Sequence, residues 1–182
     1  MKSAGLDVGR RFDKTTYLEL IDTNITDIVQ AGTIRFKEQA VFLYPRLCSC
    51  NVIIVDVTGV GQGLYEHLEE LHLPILPATI VHGSTMKLAD GKLTVGKEFL
   101  AGVISTNMPQ LSAEELPREE QKQFRRELSD FVVKPGKNVR YEARAGHDDR
   151  VIALGLALVG VMVYDRFLQR EQGRIPEGAQ VH

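Results

Sequence analysis

Short segments of alternating apolar and polar residues open the chain and predict three strands before the first helix. The segments are KSAGLDVG, KTTYLELIDT and DIVQAGTIRF, and the last two are rich in β-branched and aromatic residues, which favour strands. The Thr-Asn pair at 23–24 indicates a tight turn between the second and third segments. Three strands in immediate succession predict an antiparallel opening to the sheet.

Helical and strand patterns then alternate along the chain. KEQAVFLYPRL has helical spacing, although Pro45 lies late in it, and GQGLYEHLEEL is amphipathic. Between them, NVIIVDV is a nearly continuous β-branched run, which is typical of a strand buried on both faces, and LPILPATIV predicts a further strand. This alternation predicts an α/β domain whose mixed sheet has the strand ending in Asp56 near its centre.

The second half of the chain predicts a hairpin, two helices, a second hairpin and a long last helix. TMKLADGKLTVG turns at Asp90-Gly91, and we interpret 81–97 as a hairpin inserted into the domain. GKEFLAGVIS and PREEQKQFRRELSDF predict helices, the second with a solvated, mixed-charge face, and FVVKPGKNVRYEA predicts a hairpin. The last helix is expected from about His147 to Gln169.

Composition and charge narrow the class of protein. The 182 residues suggest one domain, assigned to 1–168, with a polar, flexible tail over 169–182. A net charge of −2 excludes a basic nucleic-acid arm, so DNA binding would need local basic patches or metal ions. The longest uncharged run, Val151 to Tyr164, is shorter than the roughly 20 residues that a membrane span needs. We therefore expect an intracellular protein that does not enter a membrane.

Acidic residues stand where buried elements begin or end. Asp7 ends the first strand, Asp56 ends the strand NVIIVDV, and Asp148 and Asp149 begin the last helix. If the two strands are parallel neighbours, both carboxylates lie at one edge of the sheet, where the helix can bring Asp149 to them. Clustered carboxylates repel one another, and Mg²⁺ or Mn²⁺ relieves that repulsion. Two such ions, about 4 Å apart, cleave phosphodiesters in known enzymes. An ordinary helix cap remains the alternative role for Asp148.

Three motifs, GLDVGRRFDKTT, IIVDVTGVGQGL and GHDDRVIALGLAL, resemble in order and spacing the nuclease domain of phage large terminase subunits, including terminase-like proteins of Mu-type phages. The resemblance spans about residues 3–165. It implies an RNase H-like (retroviral-integrase-type) fold, with a mixed central sheet, opening antiparallel strands, flanking helices and an inserted β-hairpin. It also implies an endonuclease with two Mg²⁺ or Mn²⁺ ions that cuts concatemeric double-stranded viral DNA during packaging.

The resemblance assigns roles to the acidic motifs. Asp7 would bridge both ions, Asp56 would bind one of them, and Asp149 would be the third ligand. Asp148 would be a further ligand or would orient one. His147 would not bind the metal itself but would orient a ligand or hold a water or a phosphate. A capping role for His147 at the start of the helix is equally open.

Basic residues near these motifs are candidate DNA contacts. The hairpin carries Lys87 and Lys92, Lys97 follows it, and Arg10 and Arg150 flank the acidic motifs. Lysine and arginine at such places suit phosphate contacts, although surface ion pairs are an equal alternative for any one arginine. Lys97 is the lysine that we expect nearest the site.

One feature of complete large terminase subunits is absent from the sequence. They carry a packaging ATPase, and no GxxxxGK[ST] loop occurs in this chain. We therefore expect either a nuclease domain of a longer protein or a stand-alone relative. The partners implied are double-stranded DNA, the terminase ATPase domain, the small terminase subunit and the portal protein, in the host cytoplasm.

Other functions stay open at this point. GLDVG and VDVTGVG also resemble the phosphate loops of the actin and sugar-kinase superfamily, but those ATPases need a longer chain with two such domains. A Holliday-junction resolvase would share the fold and the metals. A third alternative is a DNA- or portal-docking module whose acidic cluster is vestigial.

Overall fold

The structure is a computed structural model that describes residues 1–9, 14–32, 34–134, 140–143 and 148–171. Its strands are Lys2–Asp7 (β1), Thr15–Ile21 (β2), Asn24–Ala31 (β3), Val52–Asp56 (β4), Ile75–Val81 (β5), Met86–Ala89 (β6), Lys92–Gly96 (β7), Phe131–Lys134 (β8) and Arg140–Ala143 (β9). Its helices are Phe36–Leu47 (α1), Gly61–Glu69 (α2), Lys97–Asn107 (α3), Arg118–Asp130 (α4) and Asp149–Glu171 (α5), with a 3-10 turn at Met108–Gln110.

A mixed sheet of seven strands forms the centre of the fold, in the order β3-β2-β1-β4-β5-β7-β6. Strands β1 to β3 are antiparallel, as their close succession predicts, and β1, β4, β5 and β7 run parallel. The prediction of an α/β fold with a mixed sheet is confirmed, and β4 occupies the middle position. Strands β8 and β9 form a separate antiparallel pair.

Helices cover both faces of the sheet. On one face, Leu43 of α1 and Leu64 of α2 share a buried cluster with Leu6 and Val55. On the other face, α5 lies across β1, β2 and β4 and is flanked by α3 and α4. This central place explains why α5 is apolar on all sides, since every residue from Arg150 to Gly160 is buried. None of the helices in the described part of the chain is long and apolar enough to cross a membrane.

Small residues let α5 approach β1 closely. The Ser3 hydroxyl donates a 2.8 Å hydrogen bond to the main-chain oxygen of Ala157. A Cβ built on Gly5 would lie 2.0 Å from the main-chain oxygen of Ala153, closer than any real contact. Only glycine fits at position 5. The two elements run in opposite directions, so the end of β1 meets the start of α5.

One sequence-based prediction about turns needs correction, and one hairpin has a wider role than its turn predicts. The first turn is formed by Asp22 and Thr23, so β3 begins at Asn24, with Asp22 in the left-handed region at φ 55°. The predicted hairpin within 81–97 forms as β6 and β7, and β7 also joins it to the central sheet by pairing in parallel with β5. Turn chemistry predicts that a hairpin forms but not which strand it joins.

We expect Gly5→Ala to destabilise the protein by about 3 kcal/mol, because the added methyl group must push α5 away from β1. Urea unfolding at 25 °C measures the change. Gly102→Ala is the matched control: position 102 lies in α3 with no atom within 4 Å of a built Cβ, so alanine there should stabilise by about 1 kcal/mol. A Gly5→Ala protein as stable as the wild type would contradict the close packing.

Candidate metal centre

Asp7 and Asp56 lie side by side at the carboxyl ends of β1 and β4. The two strands pair in parallel with Leu6 opposite Val55, and one further step of that register brings Asp7 opposite Asp56. Neighbouring strands are about 4.8 Å apart. Asp7 also shares the α5 face of the sheet with Gly5, because side chains alternate along a strand.

The start of α5 brings two further carboxylates to this edge. Gly5 faces Ala153, and two residues along a strand cover about 6.6 Å, while four along a helix cover about 6.0 Å. Two residues forward along β1 lead from Gly5 to Asp7, and four residues back along α5 lead from Ala153 to Asp149. The two distances are nearly equal, so Asp7 and Asp149 lie at the same end of this contact. Asp148 precedes the helix, and its main-chain oxygen accepts the 2.8 Å hydrogen bond from the N–H of Ile152.

The electrostatics of Asp7 reflect this gathering of charge. Burial raises the pKa of Asp7 well above the ordinary aspartate value, and the charges of Asp149, Asp56 and Asp148, in that order, raise it further. The Lys97 ammonium acts in the opposite direction. Asp7 is thus the carboxylate on which the repulsion of the cluster converges.

A local turn fixes Asp56. Its Oδ1 accepts a 2.8 Å hydrogen bond from the main-chain N–H of Thr58, and the Thr58 hydroxyl accepts one of 2.8 Å from the N–H of Ile80. Burial raises the pKa of Asp56, while hydrogen bonds from Thr58 and the charge of Lys97 counteract that rise. The role of Thr58 was missed in the sequence, although an aspartate two residues before a turn residue is the usual signature of such a turn.

Lys97 is the candidate DNA contact that the structure brings to the acidic cluster. It is the first residue of α3, and its Nζ lies 3.6 Å from Oδ2 of Asp148. The same ammonium acts on the pKa values of both Asp7 and Asp56. Within the described residues, therefore, Lys97 supplies a positive charge that offsets part of four clustered carboxylates.

The other predicted site residues lie elsewhere or outside the described residues. Lys92 begins β7 and Lys97 directly follows its end, a separation of about 16 Å along the strand. The turn of this hairpin thus points away from the acidic cluster. Lys87 is exposed on the edge strand β6. Arg10 and His147 fall outside the described residues.

Arg150 does not face solvent, so its predicted DNA contact is corrected. It is only 5% exposed, with Nε 2.6 Å from Oε1 of Glu120 and Nη2 2.8 Å from Oε1 of Gln123. Nη1 also contacts Oε1 of Glu127. Burial acts to lower the pKa of Arg150, but the two glutamates outweigh it and raise that pKa. The mixed-charge face of α4, predicted to be solvated, thus includes acids that bind this arginine.

The carboxylates suit a divalent cation in kind. Hard oxygen ligands are those that Mg²⁺ and Mn²⁺ prefer, and a cation among the four aspartates would relieve the repulsion that raises the pKa of Asp7. In the part of the chain that the structure describes, no three His, Cys, Asp or Glu side chains already form a group that could hold an ion. Without a bound cation, carboxylates repel one another, which favours side-chain positions further apart than those of metal ligands.

Solved structures of terminase nucleases have the same fold as this chain. The large terminase nuclease from thermophilic phage G20c with bound magnesium matches with a TM-score of 0.68 and 22% identity, over 87% of this chain and 80% of that chain. The nuclease domain of the large terminase subunit gp2 of bacterial virus Sf6 matches with a TM-score of 0.59 and 15% identity, over 86% of each chain. A mutant of the Sf6 domain with manganese gives a TM-score of 0.63 at 14% identity, over 86% of this chain and 87% of that one.

These likenesses establish the fold. The resemblance predicted from the three acidic motifs is confirmed at that level, and the domain has the RNase H-like fold of large terminase nuclease domains. No protein-family model and no curated protein sequence matches the chain.

Without metal ions, we expect Asp7→Asn to stabilise the protein at neutral pH, because it removes a carboxylate that its neighbours repel. The raised pKa means that the folded state binds this proton more tightly than the unfolded chain. The wild type therefore loses stability relative to the variant as pH rises from about 3.9 through the raised value. Thermal melts in EDTA from pH 3.5 to 8 measure the difference, at about 2–4 °C for each kcal/mol in a chain of this size.

Asp90→Asn is the control for that series. Asp90 is exposed at the hairpin turn, with φ 49°, a conformation that asparagine also tolerates. We expect its melting temperature to stay close to that of the wild type, because position 90 is exposed. The same pH dependence in both variants would contradict the repulsion at Asp7.

Proposed function

We propose that this chain is a metal-dependent DNA endonuclease domain of a viral DNA-packaging motor, acting by two-metal phosphodiester hydrolysis. The observation that carries the proposal is the convergence of Asp7, Asp56, Asp148 and Asp149 at one edge of the sheet, where burial and mutual repulsion raise the pKa of Asp7. Such a cluster is costly to the folded protein unless it binds cations. The fold shared with the G20c and Sf6 nucleases supports the same conclusion.

The proposed ligands differ in how firmly they are held. Asp7 would bridge two ions, because it is coupled to carboxylates from both β4 and α5. Asp56 would bind on the β4 side, where its turn with Thr58 already fixes one carboxylate oxygen. Asp149 would bind on the α5 side. Asp148 would join as a ligand or orient one.

Mg²⁺ or Mn²⁺ ions bound there would activate the attacking water and stabilise the leaving oxygen of a phosphodiester. The side chains would hold that arrangement in place and exclude other geometries. Lys97, at the rim of the cluster, would bind a phosphate oxygen once the carboxylates are neutralised, since its ammonium lies 3.6 Å from Oδ2 of Asp148. His147 would steady a ligand or a phosphate from outside the cluster.

The proposed substrate is concatemeric double-stranded DNA, cut in the host cytoplasm. The net charge of −2 predicts weak, salt-sensitive DNA binding by this chain alone. Targeting would then come from the ATPase domain, the small terminase subunit and the portal protein. We propose residues 1–168 as the nuclease domain and 169–182 as a tail; its first three residues continue α5, and 172–182 lie outside the described residues.

We expect the purified chain to nick and then linearise supercoiled plasmid in Mn²⁺ or Mg²⁺ and to be inactive in EDTA. Asp7→Asn, Asp56→Asn and Asp149→Asn should each reduce the rate by more than about 100-fold, since each removes a ligand. Gel analysis of plasmid forms over time measures the rates. The control is Glu115→Gln, which also removes one negative charge but at an exposed position, and this variant should cleave like the wild type.

Three outcomes would count against the proposal. Cleavage that persists in EDTA would point to a contaminating or metal-independent nuclease. Cleavage unchanged in Asp7→Asn would separate the acidic cluster from the activity. Cleavage of a cruciform plasmid or a four-way junction far faster than that of duplex DNA would favour a junction resolvase instead.

A further inference from the structure

Asp149 and Arg150 are consecutive residues of α5 with different neighbours. We propose that Arg150 is a positioning residue for the metal-binding end of α5, held by α4 through Glu120 and Glu127. Its restraint fixes the backbone that carries Asp149. This inference rests on the proposed function, because it concerns how one of the proposed ligands is kept in place.

The first observation is a hydrogen bond to the main chain of α5. The first four N–H groups of a helix have no partner within that helix. The N–H of Arg150 donates to Oε2 of Glu127 at 3.1 Å, and the other oxygen of the same carboxylate accepts from the Arg150 guanidinium. Glu127 thus holds the backbone and the side chain of one residue together. That residue follows Asp149 directly.

The second observation is that α4 presents a continuous face to Arg150. Glu120, Gln123 and Glu127 are spaced at i, i+3 and i+7, which places them along one side of the helix, and all three accept hydrogen bonds from Arg150. The first turn of α5 therefore cannot shift without breaking several contacts to α4.

The third observation concerns charge. Two glutamates more than compensate the single charge of Arg150, and its side-chain hydrogen bonds to the described residues go to α4. Its charge therefore does little to neutralise the aspartates, near which Lys97 lies instead. Four like charges tend to spread the start of α5 away from the sheet, and the contacts of Arg150 with α4 oppose that movement. Arg150 acts on the site through geometry.

The test is calorimetric titration of the full chain with MnCl2. Glu127→Gln and Arg150→Lys should bind Mn²⁺ about 10–100-fold more weakly than the wild type, the usual effect of losing a group that orients a metal ligand. Excess Mn²⁺ should restore plasmid cleavage in both variants, because all the proposed ligands remain. Hydrogen exchange of the amides in the first turn of α5 should become faster without metal.

Two controls separate positioning from general stability. Glu119→Gln makes the same charge change on the exposed side of α4 and should bind Mn²⁺ like the wild type. Phe124 shares a buried cluster with Val151 of α5, and Phe124→Leu loosens that apolar packing but leaves the hydrogen bonds of Arg150 to α4 in place. It should lower the melting temperature and leave Mn²⁺ affinity within about threefold of the wild type, because the ligands stay oriented.

The outcomes distinguish the two proposals. A wild type that binds Mn²⁺ and cleaves DNA, together with Glu127→Gln of unchanged affinity, would overturn the positioning role and leave the nuclease function standing. Equal losses of affinity in Glu127→Gln and Phe124→Leu would overturn it too, since general loosening would then suffice. A folded wild type that binds no Mn²⁺ would overturn both.

Discussion

The close packing of α5 across β1 is the constraint on which the rest of the site depends. A side chain at Gly5 would collide with the α5 backbone, and a Cβ at Gly160 would lie 2.3 Å from the Ser3 hydroxyl. These close contacts between small residues fix the distance and the register between α5 and β1. Because β1 ends and α5 begins at the same edge of the sheet, their register decides whether Asp7 and Asp149 meet. The apolar character of α5 follows from its burial between the sheet and two helices.

This packing concentrates like charges where the fold is least able to screen them. Burial and repulsion both raise the pKa of Asp7, so the protein gives up stability at the place where its chemistry is proposed. Lys97 offsets part of that cost, and the pairing of Arg150 with α4 restrains the helix end that the repulsion would displace. A bound cation would turn the same cluster from a destabilising feature into a stabilising one.

The sequence predicts those parts of the site that depend on local pattern. The hydrophobic pattern shows the buried run before Asp56 and the apolar helix after Asp149. Parallel pairing of β1 and β4 is then enough to bring Asp7 and Asp56 to the same edge of the sheet. The contacts of Arg150 could not be predicted, because its partners Glu120 and Glu127 are 30 and 23 residues away and look like ordinary surface acids. The direction of the 86–96 hairpin depends on pairing between β7 and β5, which no local signal encodes.

Anomalous diffraction from crystals grown with Mn²⁺ would show whether the acidic cluster binds metal, because it locates the ions without reference to activity. We expect manganese peaks at the edge of the sheet, about 2.1 Å from carboxylate oxygens of Asp7 and of at least one of Asp56 and Asp149. Crystals with saturating Mn²⁺ and no peak at these aspartates, or peaks only at surface acids elsewhere, would contradict it.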